Sequence, residues 1–193
     1  IQHSTFNTQH STFNIQDMDY DVKGNLHEVL GSLPAGVRLV AISKFHPNEY
    51  IEEAYAEGQR IFGESHEQEL AKKVASLPED IEWHFIGHLQ TNKVKYIAPY
   101  ISMIESVDSL KLLKEIEKQA AKHDRVVKVL LELHLAEEDT KSGLSLDACR
   151  ELLEAGEWRE MKHVQICGIM MMASNTDDEQ QIAQEFDEAA RFF

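Results

Sequence analysis

Short apolar runs alternate with segments of helical period along most of this chain of 193 residues. Each run is followed by a stretch in which apolar residues recur every three or four positions, the spacing of an amphipathic helix. Runs such as 126–133 and 166–171 are apolar at nearly every position, which is typical of parallel strands covered on both faces. The pattern predicts six successive βα units, whose strands begin near Val37, Arg60, Glu82, Met103, Val126 and Val164.

Several predicted helices are bounded by residues that favour helix ends. A leading amphipathic helix is expected from Asp21, with Val22, Leu26, Val29, Leu30 and Leu33 on one side and a stop at Pro34 and Gly36. The later starts are predicted at Pro47, at a capping box formed by Ser65 and Gln68, at Asp108 and at Ser145, with stops at Gly58 and Gly156.

This order of elements predicts an α/β fold, either a TIM-type (β/α)8 barrel or a doubly wound sheet. No Gly-x-Gly-x-x-Gly motif follows the first strand, which disfavours a dinucleotide-binding sheet. We therefore expect a TIM-type barrel in residues 17–193 as a single domain. Because such a barrel has eight strands, its last two βα units would be absent from the chain as given.

The first 16 residues do not fit this pattern. The hexamer Gln-His-Ser-Thr-Phe-Asn occurs at positions 2–7 and again at 9–14. A polar repeat this short has no apolar face to bury, so we interpret residues 1–16 as a tag-like or disordered segment. No chemistry is assigned to His3 or His10.

Composition and charge narrow the classes of partner. A formal net charge of -15 repels phosphate backbones and anionic lipid, which disfavours nucleic acid and membrane surfaces. Cys149 and Cys167 lack the spacing of a metal site, and we expect both to be small buried side chains in a reducing compartment. No segment has the length and apolarity of a membrane span or the pattern of a signal peptide, so a cytoplasmic protein is expected.

Lys44 is the leading candidate for chemistry because it ends the first apolar run, 37–43. In a barrel the carboxyl ends of the strands form the working face. An amine that is partly stripped of water there can lose its proton and attack an aldehyde to form a Schiff base. The alternative is an ordinary solvated lysine at the end of a strand.

Other polar residues follow the predicted strands and would surround Lys44 in a barrel. Glu64 is either a modulator of a nearby amine or a solvated carboxylate in the first turn of a helix. Ser65 is a helix cap that could also contact a ligand, and His84 is either a ligand contact or a hydrogen-bonded core histidine. Met170 could pack against a flat ring, although methionine on a buried strand is usually core. Lys141, in a loop after the fifth strand, is either exposed or a second amine near the site.

Five segments resemble the pyridoxal phosphate homeostasis proteins over about residues 20–193. They are Val-Ala-Ile-Ser-Lys at 40–44, Phe-Gly-Glu at 62–64, Trp-His-Phe-Ile-Gly-His-Leu-Gln-Thr-Asn-Lys at 83–93, Lys-Ser-Gly at 141–143 and Gly-Ile-Met at 168–170. The block at 83–93 is the most specific of them. The resemblance implies one TIM-type barrel, similar to the N-terminal domain of bacterial alanine racemases.

The resemblance also implies pyridoxal 5'-phosphate (PLP) bound as a Schiff base on Lys44, with Ser65, His84, Met170 and Lys141 as further cofactor-binding candidates. Ser65 stands where the family usually has Asn, and its shorter side chain would reach less far toward the cofactor ring. The family's phosphate-binding elements belong to the seventh and eighth units, so no phosphate ligand is named.

The function implied is intracellular PLP homeostasis, with PLP-dependent apoenzymes as possible recipients and a monomer or weak dimer as the expected state. The alternative is a PLP-dependent amino-acid racemase of the alanine racemase type, which would need acid and base groups on both faces of its substrate. A class I aldolase ranks last because its Schiff-base lysine usually lies on a later strand than the first.

Overall fold

A computed structural model describes residues 21–135 and 142–193. Within them, six parallel strands form one sheet in sequence order, which confirms the predicted α/β barrel class. Because right-handed crossovers between consecutive neighbours put every helix on the same face, this order builds a barrel wall rather than a doubly wound sheet. The strands are β1 Ala41–Ile42, β2 Ile61–Glu64, β3 Glu82–Phe85, β4 Met103–Val107, β5 Val127–Leu133 and β6 Val164–Met171.

The helices fall between the strands, as the periodicity predicts. They are α1 Val22–Ser32, α2 Asn48–Ala56, α3 Glu67–Val74, α4 Val94–Ile97, α5 Leu110–Lys122, α6 Leu146–Ala155 and α7 Glu179–Phe192, with short 3-10 turns at Thr91–Lys93 and Glu157–Glu160. None of these helices, within the two described ranges, is both long and apolar enough to span a membrane.

Two predicted helix caps are wrong, and Pro47, predicted as a first helical position, is instead the residue before α2. The residue that precedes α3 is His66 rather than Ser65, and its side chain makes no capping hydrogen bond. The Ser65 hydroxyl instead lies 3.0 Å from Nδ1 of His66. Ser109, one residue after Asp108, caps α5 by accepting from the Leu112 amide. The cap at Ser145 and the left-handed stop at Gly156 are confirmed.

The core lies between the sheet and the helices. Its largest fully buried side chains come from both layers, for example Phe62 and Ile104 on strands and Leu70 and Ile116 on α3 and α5. Phe62 on β2 and Trp83 on β3 pack with ring centroids 6.0 Å apart. The predicted apolar side of α1 is covered only in part, since Leu26 is buried whereas Val29 and Leu30 are exposed.

The two cysteines differ in burial, which corrects the prediction for one of them. Cys149 on α6 is buried, but Cys167 on β6 is exposed. The pairing passes from Val129 with Ile166 to Leu130 with Gly168, so Cys167 lies in the register shift and has no partner residue on β5. Gln165, two residues earlier on the same strand, is exposed as well, so the exposure of Cys167 also follows the alternation of side chains along β6.

The sheet's second face carries the candidate site. One row of paired residues crosses all six strands and consists of Ile42, Gly63, His84, Met103, Lys128 and Gln165. Side chains alternate between the two faces of a strand, so this row faces away from Phe62, Trp83 and the helices.

Candidate functional site

Lys44 lies just beyond the carboxyl end of β1, on the face away from the helices. The Ser43 amide donates to the Gly63 carbonyl at 3.0 Å, so the pairing of β1 with β2 continues past Ile42. A Cβ placed on Gly63 would lie 3.0 Å from Ile42 Cδ1, which puts Ile42 on the face opposite the helices. Lys44 begins the turn that follows, which the His46 amide closes by donating to the Ser43 carbonyl at 3.1 Å, and we infer from the alternation along β1 that its side chain leaves on the face of Ile42. Lys44 is half-buried, and its amine has no hydrogen-bond or ion-pair partner among residues 21–135 and 142–193.

Glu64 faces the opposite side of the sheet, where it meets a second lysine. It is fully buried, and its Oε1 lies 2.7 Å from Nζ of Lys73 on α3. The interpretation of Glu64 as a solvated first-turn carboxylate is therefore wrong, because the residue ends β2 and points at α3. Lys73 and Glu69, four residues apart on α3, were not predicted as part of the site region, and their spacing alone resembles an ordinary surface pair.

His84 is a hydrogen-bonded histidine on the site face. Its Nδ1 lies 2.6 Å from Oε1 of Glu105, one strand away on β4. Gly63 is its partner in register on β2. His84 is therefore on the strand next but one to β1, which Lys44 follows, and the side chains of Ile42, Val40 and Ile86 fill the space above Gly63 between them. Glu105 was missed in the sequence because its role depends on the register of β3 with β4.

Ser65 follows β2 directly and lies against the loop after β3. A Cβ on Gly87 would come within 2.7 Å of Ser65 Cβ and 2.9 Å of its carbonyl oxygen, so this loop approaches because Gly87 has no side chain. Ser65, His66, Gly87, His88 and other residues line a cavity of about 350 Å³ there. Ser65 is thus part of an open cavity at the carboxyl ends of β2 and β3.

Met170 lies at the far end of the sheet, on β6, where its partner in register is Glu132 of β5. Glu132 is buried, with one oxygen accepting from the Ser142 hydroxyl at 2.8 Å and the other without a partner in the described part of the chain. Burial raises the pKa of the Glu132 carboxyl above its ordinary value. Lys141, which was predicted near the site, lies outside the described residues.

The fold therefore gathers Lys44, Ser65 and His84 on three neighbouring strands and leaves Met170 on the other edge strand. In the described ranges, no three His, Cys, Asp or Glu side chains are grouped so that they could hold a metal ion. An unpaired amine, a hydroxyl and a histidine beside an exposed apolar strand can bind an aldehyde-bearing ring. Ile42, at 49% exposure, and Phe45, at 67%, are exposed apolar side chains within two residues of Lys44.

Comparison with known proteins places the chain in a family. Residues 21–193 match the family described as "Alanine racemase, N-terminal domain". The pyridoxal phosphate homeostasis protein of Helicobacter pylori is 35% identical over 159 residues, which cover 81% of this chain and 71% of that protein. The chain belongs to the pyridoxal phosphate homeostasis protein family. The member from Aquifex aeolicus is 37% identical over 150 residues, or 77% of this chain and 65% of that protein.

Solved structures agree with this membership. The structure of PipY from Synechococcus elongatus with PLP bound matches this chain at 33% sequence identity and a TM-score of 0.80. The match covers 89% of this chain and 79% of PipY. PipY without PLP gives a TM-score of 0.83. Alanine racemase from Streptomyces lavendulae shares the fold alone, at 14% identity and a TM-score of 0.72 over 46% of its length.

This member of the pyridoxal phosphate homeostasis protein family spans only part of several relatives. The matches cover 65%, 58% and 62% of the proteins from Aquifex aeolicus, Schizosaccharomyces pombe and Pasteurella multocida. The carboxyl ends of six strands are present on this chain, and they include the strand that carries Lys44.

Proposed function

We propose that this chain binds PLP through Lys44 and serves in PLP homeostasis in the cytoplasm. The observation that carries the proposal is the state of the Lys44 amine, which is half-buried and unpaired within the described residues at the carboxyl end of a barrel strand. Membership of the family and the PLP-bound structure of its relative PipY support the choice of ligand. When bound, PLP supplies an aldehyde that forms a covalent C=N bond with a lysine amine and releases water.

The residues around Lys44 fit a flat, aldehyde-bearing ring. Gly63 leaves the strand surface beside Ile42 without a Cβ, and a Cβ there would meet Ile42, Val40 and Ile86 within 3.4 Å. The space above Gly63 is thus already filled by three apolar side chains, which offer a ring an apolar surface rather than a gap. The Lys44 amine is not tied to a carboxylate in the described ranges, which leaves it available for the aldehyde.

The other cofactor contacts are proposed from their position and from the resemblance. Ser65 and His84 belong to the two strands that follow Lys44, so we propose them as polar contacts beside the ring. Met170 would contact the ring only from the opposite side of a closed barrel. Lys141 is proposed as the second lysine that influences cofactor handling, as the family resemblance implies.

The test is reductive trapping of PLP on the whole chain. PLP is added, a visible absorption band is recorded, and borohydride then fixes the cofactor to its lysine for peptide mass mapping. We expect the band and a trapped peptide that contains Lys44. Lys44→Arg should abolish both, whereas Lys72→Arg, an exposed lysine on α3, should leave both unchanged. Trapping spread evenly over exposed lysines would overturn the proposal.

A homeostasis role further predicts that the bound cofactor can be passed on. Incubating the PLP-loaded chain with a PLP-dependent apoenzyme should restore the activity of that enzyme, and the Lys44→Arg variant should restore less. The racemase alternative predicts exchange of the α-hydrogen of L- or D-alanine with deuterium from D2O. Exchange at rates typical of enzymes would favour the racemase over homeostasis.

A further inference from the structure

A buried cluster of three charged side chains lies directly behind Lys44. Nζ of Lys73 is 2.7 Å from Oε1 of Glu64 and 2.6 Å from Oε1 of Glu69. Its third contact is the backbone carbonyl of Ser43, at 2.7 Å. Lys73 is 4% exposed and Glu64 is 0% exposed, so their ion pair is shielded from water and its hydrogen bond is strong, whereas the Glu69 side chain is 25% exposed at the edge of the cluster.

The side chains of this cluster form hydrogen bonds with the backbone on both sides of Lys44. On the preceding residue, Lys73 donates to the Ser43 carbonyl, and the Ser43 hydroxyl donates to Glu64 Oε1 at 2.6 Å. On the following residue, the Phe45 amide donates to Glu69 Oε1 at 2.7 Å. Phe45 has a φ of 65°, a left-handed conformation that a non-glycine residue rarely adopts. The hydrogen bond to Glu69 stabilises this turn of the chain immediately after Lys44.

We propose that Lys73, together with Glu64 and Glu69, positions Lys44 by fixing the carbonyl before it and the amide after it, so that its amine is presented on the site face. This positioning role rests on the proposed binding of PLP by Lys44. Lys73 itself does not act as the nucleophile. Its three ammonium hydrogens match three acceptors on the helix side of the sheet, whereas the Lys44 amine lies on the other face.

This division explains how two lysines close in space take different roles. Lys73 is a fixed cation whose partners are two carboxylates and a carbonyl. Lys44 is held only through its backbone, because its side chain has no partner within the described residues. The hydrogen bonds of the cluster thus hold the backbone before and after Lys44 in place. The amine at the end of the Lys44 side chain is not held by them and is free to move.

The first test needs no cofactor and measures the amine directly. Lys44 is labelled competitively with formaldehyde and cyanoborohydride, and its rate is compared by mass spectrometry with that of exposed Lys72 in the same sample. Hydrogen exchange of the segment containing Phe45 is followed in parallel. Glu69→Ala should speed exchange at Phe45 about tenfold or more and change the relative labelling rate of Lys44 several-fold. Asp147→Ala, which breaks an exposed pair with Arg150 on α6, should change neither.

The second test measures PLP binding in the same variants. Because Lys73→Met alone leaves Glu64 buried without its cation and can prevent folding, the double variant Glu64→Gln/Lys73→Met is used beside Glu69→Ala. Both should fold, raise the dissociation constant for PLP about tenfold and lower the share of borohydride trapping found at Lys44. A folded double variant with wild-type labelling of Lys44 and wild-type PLP affinity would overturn the positioning role.

Failure of the two proposals is distinguishable. If the wild-type chain traps no PLP at Lys44 while Glu69→Ala still alters labelling of Lys44, the PLP function fails and the positioning of the amine stands. If the wild-type chain traps PLP at Lys44 and the variants match it in labelling, exchange and affinity, the function stands and the positioning role fails.

Discussion

His84 Nδ1 and Glu105 Oε1 lie 2.6 Å apart on neighbouring strands, on the sheet face that Lys44 shares. Both side chains are largely buried, at 8% and 16% exposure, so each provides the other's hydrogen-bond partner where water has little access. A buried polar group that loses its partner carries its full desolvation cost. The pair therefore fixes the ring of His84 in orientation as well as in position.

Removing the carboxylate should destabilise the chain more than neutralising it. We expect Glu105→Ala to lower the free energy of unfolding by about 1 to 3 kcal/mol, because His84 is left without a partner. Glu105→Gln keeps an acceptor at the same place and should lose less. Urea denaturation followed by circular dichroism compares the two variants. Equal losses for both would contradict the hydrogen bond as the source of the effect.

The buried cluster behind Lys44 predicts a larger effect that is not additive. Lys73→Met should lower the free energy of unfolding by about 3 to 5 kcal/mol, because it leaves the Glu64 carboxylate buried without its cation. Adding Glu64→Gln removes that charge, so the double variant should recover most of the loss. Chemical denaturation of the wild type, both single variants and the double variant measures the coupling. Additive losses would show that the two side chains do not interact as the geometry indicates.

Much of the barrel wall follows from local pattern. From β2 to β6 the strands begin within one residue of the apolar runs, because a parallel strand covered on both faces needs apolar residues at nearly every position, whereas β1 begins at Ala41, four residues after the predicted start at Val37. The position of Lys44 at a strand end follows from the same pattern. What the pattern misses is the pairing between elements. Glu105 meets His84 only through the register of β3 with β4, and local sequence does not encode that register.

The buried role of Lys73 shows a second limit of the sequence. Glu69 and Lys73 have the i,i+4 spacing of an exposed helical pair, and nothing in that spacing tells which face of α3 they occupy. The buried carboxylate of Glu64 determines which face it is, because Lys73 forms an ion pair with it on the helix side of the sheet. A similar one-residue ambiguity misplaced the cap of α5 at Asp108 instead of Ser109, since both are good cap types.

Gly87 should tolerate no side chain. A Cβ there would lie 2.9 Å from the Ser65 carbonyl oxygen and 3.0 Å from Ser65 Cα, and backbone atoms cannot move aside as a side-chain end can. We expect Gly87→Ala to lower the free energy of unfolding by about 1 to 3 kcal/mol through overpacking. Gly31→Ala on α1 is the control, because nothing lies within 4 Å of its new Cβ. Thermal melts that rank the two variants equally would contradict the close approach of the two loops.

The two thiols should react at very different rates. Cys167 is exposed, whereas Cys149 is buried, and burial raises the pKa of the Cys149 thiol. The thiolate is the reactive form, so burial slows Cys149 through both access and ionisation, and the exposed Cys167 should react first. A disulfide reagent should modify one thiol quickly in the native chain and the second only in denaturant. Cys167→Ser should abolish the fast phase and Cys149→Ala should keep it, and the reverse result would contradict the exposure of Cys167.

Glu132 predicts how stability depends on pH. Burial raises the pKa of its carboxyl in the folded chain above the ordinary value of 4.5. The folded state therefore holds this proton more tightly than the unfolded state does, and its contribution to stability is present at low pH and lost as pH rises through the folded-state pKa. Glu132→Gln cannot ionise and keeps the acceptor for Ser142. The variant should thus gain stability relative to the wild type as pH rises from about 4 to about 8.

The matched control for this prediction is Glu151→Gln, an exposed glutamate on α6. Urea denaturation of the three proteins at several pH values gives the difference in unfolding free energy at each pH. Groups that titrate equally in the variant and the wild type cancel in this difference, so its slope reports Glu132 alone. A slope near zero for Glu132→Gln, equal to that of the control, would mean that the buried carboxyl titrates as it does in the unfolded chain. The unpartnered oxygen would then be accessible to solvent rather than buried.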